Sequence, residues 1–303
     1  MLKESWQNVF AVVVWPGVFG AGALGFFYLW IARKLMARLQ GRKGPPFYQP
    51  FFDFIKLLGK HTVVPAGANR RLFYALPLMS LAATILGLVI VPVPGSAVGS
   101  FPGDIVLLLY LLEVPVLCDV LAGYVSRSIY GQVSAMREAV MSLGYNLPFL
   151  AAVIAMAQTA GSFRLGTLQS VPFGAVACLA VIAFLLAMPA RLKSNPFSTA
   201  NAEQEIVAGA HIEYNGAPLA MFELSHACEV VLFFDVFFVL FLPRLSNPIA
   251  DAALYLAVSL GLTTLATLTA AMTARLTVKR AFQFYWRWGG LAAAAAIVIA
   301  VIG

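Results

Sequence analysis

Long uninterrupted apolar stretches dominate this chain and leave few folds open to it. A helix needs about 20 apolar residues to cross about 30 Å of hydrocarbon. Eight segments meet or approach that length: 9 to 32, 72 to 92, 104 to 125, 139 to 161, 172 to 190, 219 to 243, 250 to 274 and 284 to 302. The blocks are continuous rather than alternating, which argues against a closed barrel. With 61% hydrophobic and only 11% charged residues, the sequence carries more apolar material than a soluble core needs. The expectation is an all-α integral membrane protein of about eight transmembrane helices, a single polytopic domain over 1–303. The opening "MLKESWQN" has one Lys against one Glu, and the apolar run beyond it is too long for a signal h-region. The first segment is therefore expected to remain as a helix.

Lys and Arg stay on the cytoplasmic side during insertion, so their placement predicts orientation. Of the 20 basic residues, all but Lys3, Arg164 and Arg244 fall after the odd-numbered segments or at the foot of the eighth. The expected cytoplasmic segments are 33–71, 126–138, 191–218 and 275–287, and both termini then face outward from a cell or inner membrane. The net charge of +7 follows from this topology and from anionic lipid, not from nucleic acid binding.

Cys118, Cys178 and Cys228 are far apart and lack the C-x-x-C spacing of zinc or iron–sulfur sites. His61, His211 and His226 do not pair on a helical face, so no metal site is expected. There is no phosphate-binding glycine loop and no nucleophile elbow. The chain is expected to hold no catalytic residue and no redox centre, any such chemistry being carried by partners.

Between the first two spans, "LQGRKGPPFYQPFFDFIKLLGKHTVVP" is neither a span nor an ordinary polar connection. Gly44, Pro45 and Pro46 break the emerging helix. After Pro50, apolar positions alternate with Asp53, Lys56 and Lys60 at helical spacing, which predicts a short amphipathic helix lying in the interface. Its cationic side faces either lipid phosphates, as a plain anchor, or a partner.

Carboxylates inside the spans cost about 2.5–3.5 kcal/mol each even on lenient insertion scales, so they invite a functional reading. Glu113 and Asp119 lie in the third segment, while Glu223, His226 and Glu229 recur every third residue in the sixth. That spacing aligns neighbours along one stripe, and a row of titratable groups facing the bundle interior passes protons with water between them. The alternative is a structural carboxylate paired with a backbone or hydroxyl donor, favoured for Asp235 near the outer end. Glu203, Glu205 and Glu213 crowd the loop "ANAEQEIVAGAHIEYNG". Crowded carboxylates withdrawn from water hold shared protons; a solvated loop binding basic partner surfaces is the alternative.

Three stretches resemble the membrane subunit of respiratory complex I that walls the quinone cavity, and still more its counterpart in the energy-converting NiFe hydrogenases. They are "GRKGPPFYQPFFDFIKLL", with Arg42, Gln49, Asp53 and Lys56 at the family's spacing, "AGYVSRSIYGQVSAMREAVMSLGY", and "NPFSTANAEQEIVAGAHIEYNG". The resemblance covers nearly the whole chain. It implies that the acidic loop lines a cavity facing a peripheral redox arm, and that Arg42, Gln49, Asp53 and Lys56 belong to a partner-facing loop. It also implies partners: hydrogenase-like large and small subunits and an iron–sulfur subunit, holding a NiFe centre and iron–sulfur clusters, together with antiporter-like membrane subunits.

Departures from the quinone-linked pattern favour the hydrogenase type. Ser198 and Asn201 stand where acids are usual, Asn146 follows Tyr145 at a position often glutamate, and His226 replaces an acid flanked by Glu223 and Glu229. Glu138, in "MREA", sits where a relay would enter the membrane. The function so implied is an anchor and coupling subunit linking electron transfer to H⁺ or Na⁺ movement. The alternatives are the quinone-cavity subunit of a complex I relative and a stand-alone secondary transporter. Against the last stand the long cytoplasmic loops and the lack of an evident inverted repeat.

Overall fold

A computed structural model describes residues 11–94, 100–169, 171–207 and 209–302, with the side chains of residues 203, 204 and 302 outside the description. Among the described residues every regular element is helical. The helices of seven or more residues are α1 (Val18–Leu39), α2 (Gln49–Leu58), α3 (Arg70–Ile90), α4 (Asp104–Val125), α5 (Ile129–Ala160), α6 (Ala175–Arg191), α7 (Gly216–Phe241), α8 (Pro248–Met272), α9 (Val278–Phe284) and α10 (Gly290–Ile302). A π turn at Tyr285–Gly289 joins the last two into one rod. Seven helices are long and apolar enough to cross a membrane, and α6 is a shorter apolar helix of 17 residues. The chain is a multi-pass, all-α membrane protein.

Local chemistry sets the helix ends. The Asn69 side chain accepts from the backbone N–H of Arg71 and Leu72 and opens α3, while Asn247 accepts from Ile249 N–H with Pro248 behind it to open α8. Buried Asp104 starts α4 and accepts from the Leu165 N–H at 2.8 Å, tying that end to the connection after α5.

Helices in lipid gain little from burying apolar surface against each other, so close packing and polar links hold them together. The central helix is α7, with 83% of its apolar stretch buried. It meets α1 where Gly25 lies so close that a Cβ would stand 2.1 Å from the Ala227 carbonyl oxygen. It meets α3 through hydroxyls, Ser225 bonding Ser80 at 2.7 Å and Thr84 at 3.2 Å. An aromatic cluster of Phe149, Phe184 and Phe233, in edge and tilted contacts, joins α5, α6 and α7.

The predicted interfacial helix is α2: Phe51 and Phe54 pack on Phe26 of α1, and Phe52, Ile55 and Leu58 are exposed. Two expected connections are shorter than their sequence bounds. Residues 126–138 are mostly the first turns of α5, which begins at Ile129 instead of 139, and 275–287 are helical from Val278. In α5 those polar turns stay helical because they pack on neighbours, Gly131 against Gly123 of α4 and Ser134 on the Ala200 carbonyl. Hydropathy does not register such a continuation.

Candidate functional site

The site is built around the end of α6. Arg191 closes that helix only 2% exposed, and its guanidinium reaches three elements. Nη1 donates to Glu113 Oε1 of α4 at 2.7 Å, Nη2 donates to the Leu112 carbonyl, and Nε stands 3.6 Å from Glu229 Oε1 of α7. The guanidinium carbon also lies 5.8 Å from the centre of the Tyr145 ring, within cation–π range. The second Glu113 oxygen accepts from Asn146 Nδ2 at 2.8 Å. Asn146 thus supplies a donor to a neighbouring carboxylate.

Two residues on, the chain turns with Lys193 in the left-handed region at φ 51, a conformation that costs a non-glycine residue energy and needs support from its surroundings. Its ammonium is hydrogen-bonded to Asp119, whose other oxygen is 3.0 Å from His211 Nε2. Burial alone would lower the pKa of Lys193, but Asp119, then Glu229 and Glu138, outweigh it and hold the ammonium above the ordinary lysine range. His211 is fixed in turn by stacking on Phe222 at 4.3 Å.

The stripe on α7 closes the group. Glu223, His226 and Glu229 line one cavity of about 70 Å³ together with Asp119, Lys193 and Ser80. This is room for a few water molecules with abundant polar partners. His226 Nδ1 lies 3.9 Å from Glu229 Oε2. Glu138 is buried on α5 and accepts from the Tyr145 hydroxyl at 3.4 Å.

Four carboxylates, those of Glu113, Asp119, Glu138 and Glu229, thus gather around two permanent cations, Arg191 and Lys193. If all were ionised with both histidines neutral, the group would carry two uncompensated negative charges. Isolated charge is expensive in such surroundings, and Glu113, Asp119 and Glu229 are each held against Arg191 or Lys193.

The remaining sequence candidates lie elsewhere. Glu205 is 54% exposed and pairs with Arg137 at 2.6 Å, at a surface depression shared with Arg275 and Lys279. Glu213 is half-buried, with no side-chain partner among the described residues. The side chain of Glu203 lies outside the described residues. Gln49, Asp53 and Lys56 are exposed on α2, and Arg42 is exposed beside a large cleft of about 870 Å³ between α1, α7 and α8. Sequence reasoning missed Arg191, Lys193 and Tyr145, and it read Asn146 only as a lost acid. Both cations count as ordinary topological charges in a basic-residue tally. The one available signal was that acids within the spans need counter-ions. Asp235, expected to be structural, accepts from Tyr255 Oη at 2.6 Å deep in the bundle.

Comparison with known proteins sets these features in a lineage. The NADH dehydrogenase family pattern matches residues 11–301. The chain is similar to a subunit of the NADH-quinone oxidoreductase of Dehalococcoides mccartyi, 29% identical over 238 residues that make up 75% of this chain and 67% of that one. It is similar to the corresponding NADH-quinone oxidoreductase subunit of Geobacter sulfurreducens, 31% identical over 69% of this chain and 70% of that one. Among solved structures it superposes on a chain of the membrane-bound sulfane sulfur reductase, an archaeal respiratory membrane complex, with TM-score 0.88 and 28% identity over 97% of this chain and 99% of that chain. The family match over nearly the whole chain, with all crossing helices inside it, carries the conclusion: this chain belongs to the NADH dehydrogenase family, as a complex I-like membrane subunit.

Proposed function

We propose that this chain is the membrane-anchor and coupling subunit of an energy-converting complex of NiFe hydrogenase type. Its role is to link electron transfer in a docked soluble arm to H⁺ or Na⁺ movement in antiporter-like neighbours. In this reading the NiFe centre and iron–sulfur clusters belong to the large, small and iron–sulfur partners, and no bond is broken on this chain. The carrying observation is the continuous charge network from His211 and Asp119 through Lys193 and the small cavity to Glu229, Arg191, Glu113 and Asn146.

The network's own geometry suggests how coupling works. Arg191 is shared by Glu113 and Glu229. A proton placed on Glu229 or His226 weakens the second hold and strengthens the first, and removing it reverses the balance. Charge arriving at Asp119, next to the docking loops, is thereby felt at Glu113 between α4 and α5 without any large movement. The exposed loop residues Arg42, Gln49, Asp53 and Lys56 and the surface pair Arg137–Glu205 are available to the arm. In this reading the arm docks on the cytoplasmic side, where basic loops are retained during insertion, and both termini lie outside.

A second reading, the quinone-cavity subunit of a complex I relative, is favoured by the 870 Å³ cleft and by the names of the relatives. Ser198 and Asn201 line that cleft where quinone-linked chains usually carry acids, which favours the first reading. The test is to purify the intact assembly and assay nickel and quinone, then drive vesicles with its own electron donor. Bound nickel without quinone is expected, as is loss of ion pumping in Glu223→Gln with Glu229→Gln in an assembled complex. Bound quinone without nickel would favour the second reading, and full pumping in the double variant would show these carboxylates to be structural.

A further inference from the structure

The large cleft has a composition that the coupling network does not use. Helices α1 and α8 touch at Tyr28 and Ser259, whose hydroxyls are 2.7 Å apart. Toward their basic ends small side chains face each other, Ala32 and Ala37 against Ala266 and Ala270, and the helices leave a space of about 870 Å³. That is within the range of about 300–1,000 Å³ that ligand pockets occupy. Leu29, Val230 and Phe234 make its inner wall apolar. Its rim holds four cations, Arg33, Arg42, Lys193 and Arg275, and among the described residues no carboxylate lines it.

Lys193 is neutralised by Asp119. Arg42 donates to the neutral Gln40 amide and Arg275 to the Ser198 hydroxyl at 3.3 Å. Among the described residues none of the three arginines has an ion-pair partner. In a chain where buried acids are so plentiful a few ångströms away, three unmatched guanidinium groups around one apolar cleft call for an anion with an apolar body. We infer that the cleft is a binding site for one anionic phospholipid of the bilayer, its phosphate on the arginine rim and an acyl chain along α1, α7 and α8.

The head group, not the tail, separates this occupant from a neutral one. An acyl chain moving from bilayer to cleft exchanges one hydrocarbon surrounding for another and gains little, since lipid tails are as apolar as leucine. Guanidinium forks bind phosphate oxygens in pairs, whereas a neutral head group leaves the same three charges uncompensated. The inference rests on the first reading of the function, since under the second the same cleft would hold a quinone.

The intact complex, purified in mild detergent, is examined by native mass spectrometry and lipid extraction. Wild type is expected to retain one anionic phospholipid per copy of this chain. Arg33→Gln with Arg275→Gln should retain it about tenfold less or worse, two cation–phosphate contacts being lost. Arg70→Gln with Arg71→Gln, an equal loss of charge away from the cleft, should retain it fully. Equal retention in both double variants, or a retained neutral quinone or phosphatidylcholine indifferent to the arginines, would overturn the inference. Should the cleft variant fail to assemble, delipidated wild-type complex answers the question in its place. Its thermal stability should recover with phosphatidylglycerol at low molar ratio and not with phosphatidylcholine or inorganic phosphate. An equal response to phosphatidylcholine would refute the site.

Discussion

Arg191 carries the heaviest electrostatic duty of any single residue, because two carboxylates from different helices and a backbone carbonyl all depend on it. Removing one partner of a buried pair costs about 3–5 kcal/mol, since the other charge stays behind. Arg191→Met should therefore lower the thermal midpoint of the solubilised complex markedly, and adding Glu113→Gln should recover part of the loss. Additive losses in the double variant would mean that the two residues do not interact. Such pairing was illegible in the sequence for a definite reason. Arg191 and Glu113 are 78 positions apart and Lys193 and Asp119 are 74 apart, so no local period or spacing connects them. The stripe of Glu223, His226 and Glu229 was legible because a helix repeats on itself, and all three do share one cavity. Of Glu203, Glu205 and Glu213, clustered in sequence, Glu205 pairs with Arg137 at the surface and does not line the inner cavity. Along a segment broken into two short turns, Glu203–Ile206 and Gly209–His211, sequence neighbours have no one common face to keep them together.

Among the helices, the crossing of α1 and α7 is the least forgiving contact. A side chain at Gly25 would meet the Ala227 backbone, which cannot move aside without shifting the whole central helix. Gly25→Val is expected to abolish assembled complex in membranes, whereas Gly261→Ala on α8, where a Cβ meets nothing within 4 Å, should leave yield unchanged or slightly improved. Blue-native gels of membranes from the two variants make the comparison, and normal assembly of Gly25→Val would show that the crossing is loose. The elements themselves were largely readable, since each of the eight apolar segments corresponds to a helix. Their ends were less so. The ten-residue extension of α5 is polar, with Gln132, Arg137 and Glu138, and is held by tertiary contacts. Hydropathy measures affinity for lipid and is blind to a helix that continues above it.

For the molecule as a whole, the asymmetry of its basic residues makes a claim about sidedness. Single cysteines introduced near Lys43 and Lys279 should react with an impermeant maleimide only from the cytoplasm, and ones near Arg164 and Arg244 only from outside. Reaction from the opposite faces would remove the proposed docking side and the coupling scheme with it. The shortness of α6 bears on the same question of depth. Seventeen residues rise about 25 Å, less than the roughly 30 Å of a bilayer's hydrocarbon. A helix of that length has no turns to spare for the water on either side, unlike the spans of 21 to 32 residues around it. Arg191 and Lys193 hang from the basic end, which turns α6 into a plumb line. Its length, not the strength of any bond, sets the level in the membrane at which the carboxylates of three other helices find a counter-charge. Each added turn would raise that level by about 5 Å and strand them in the dry layer beneath.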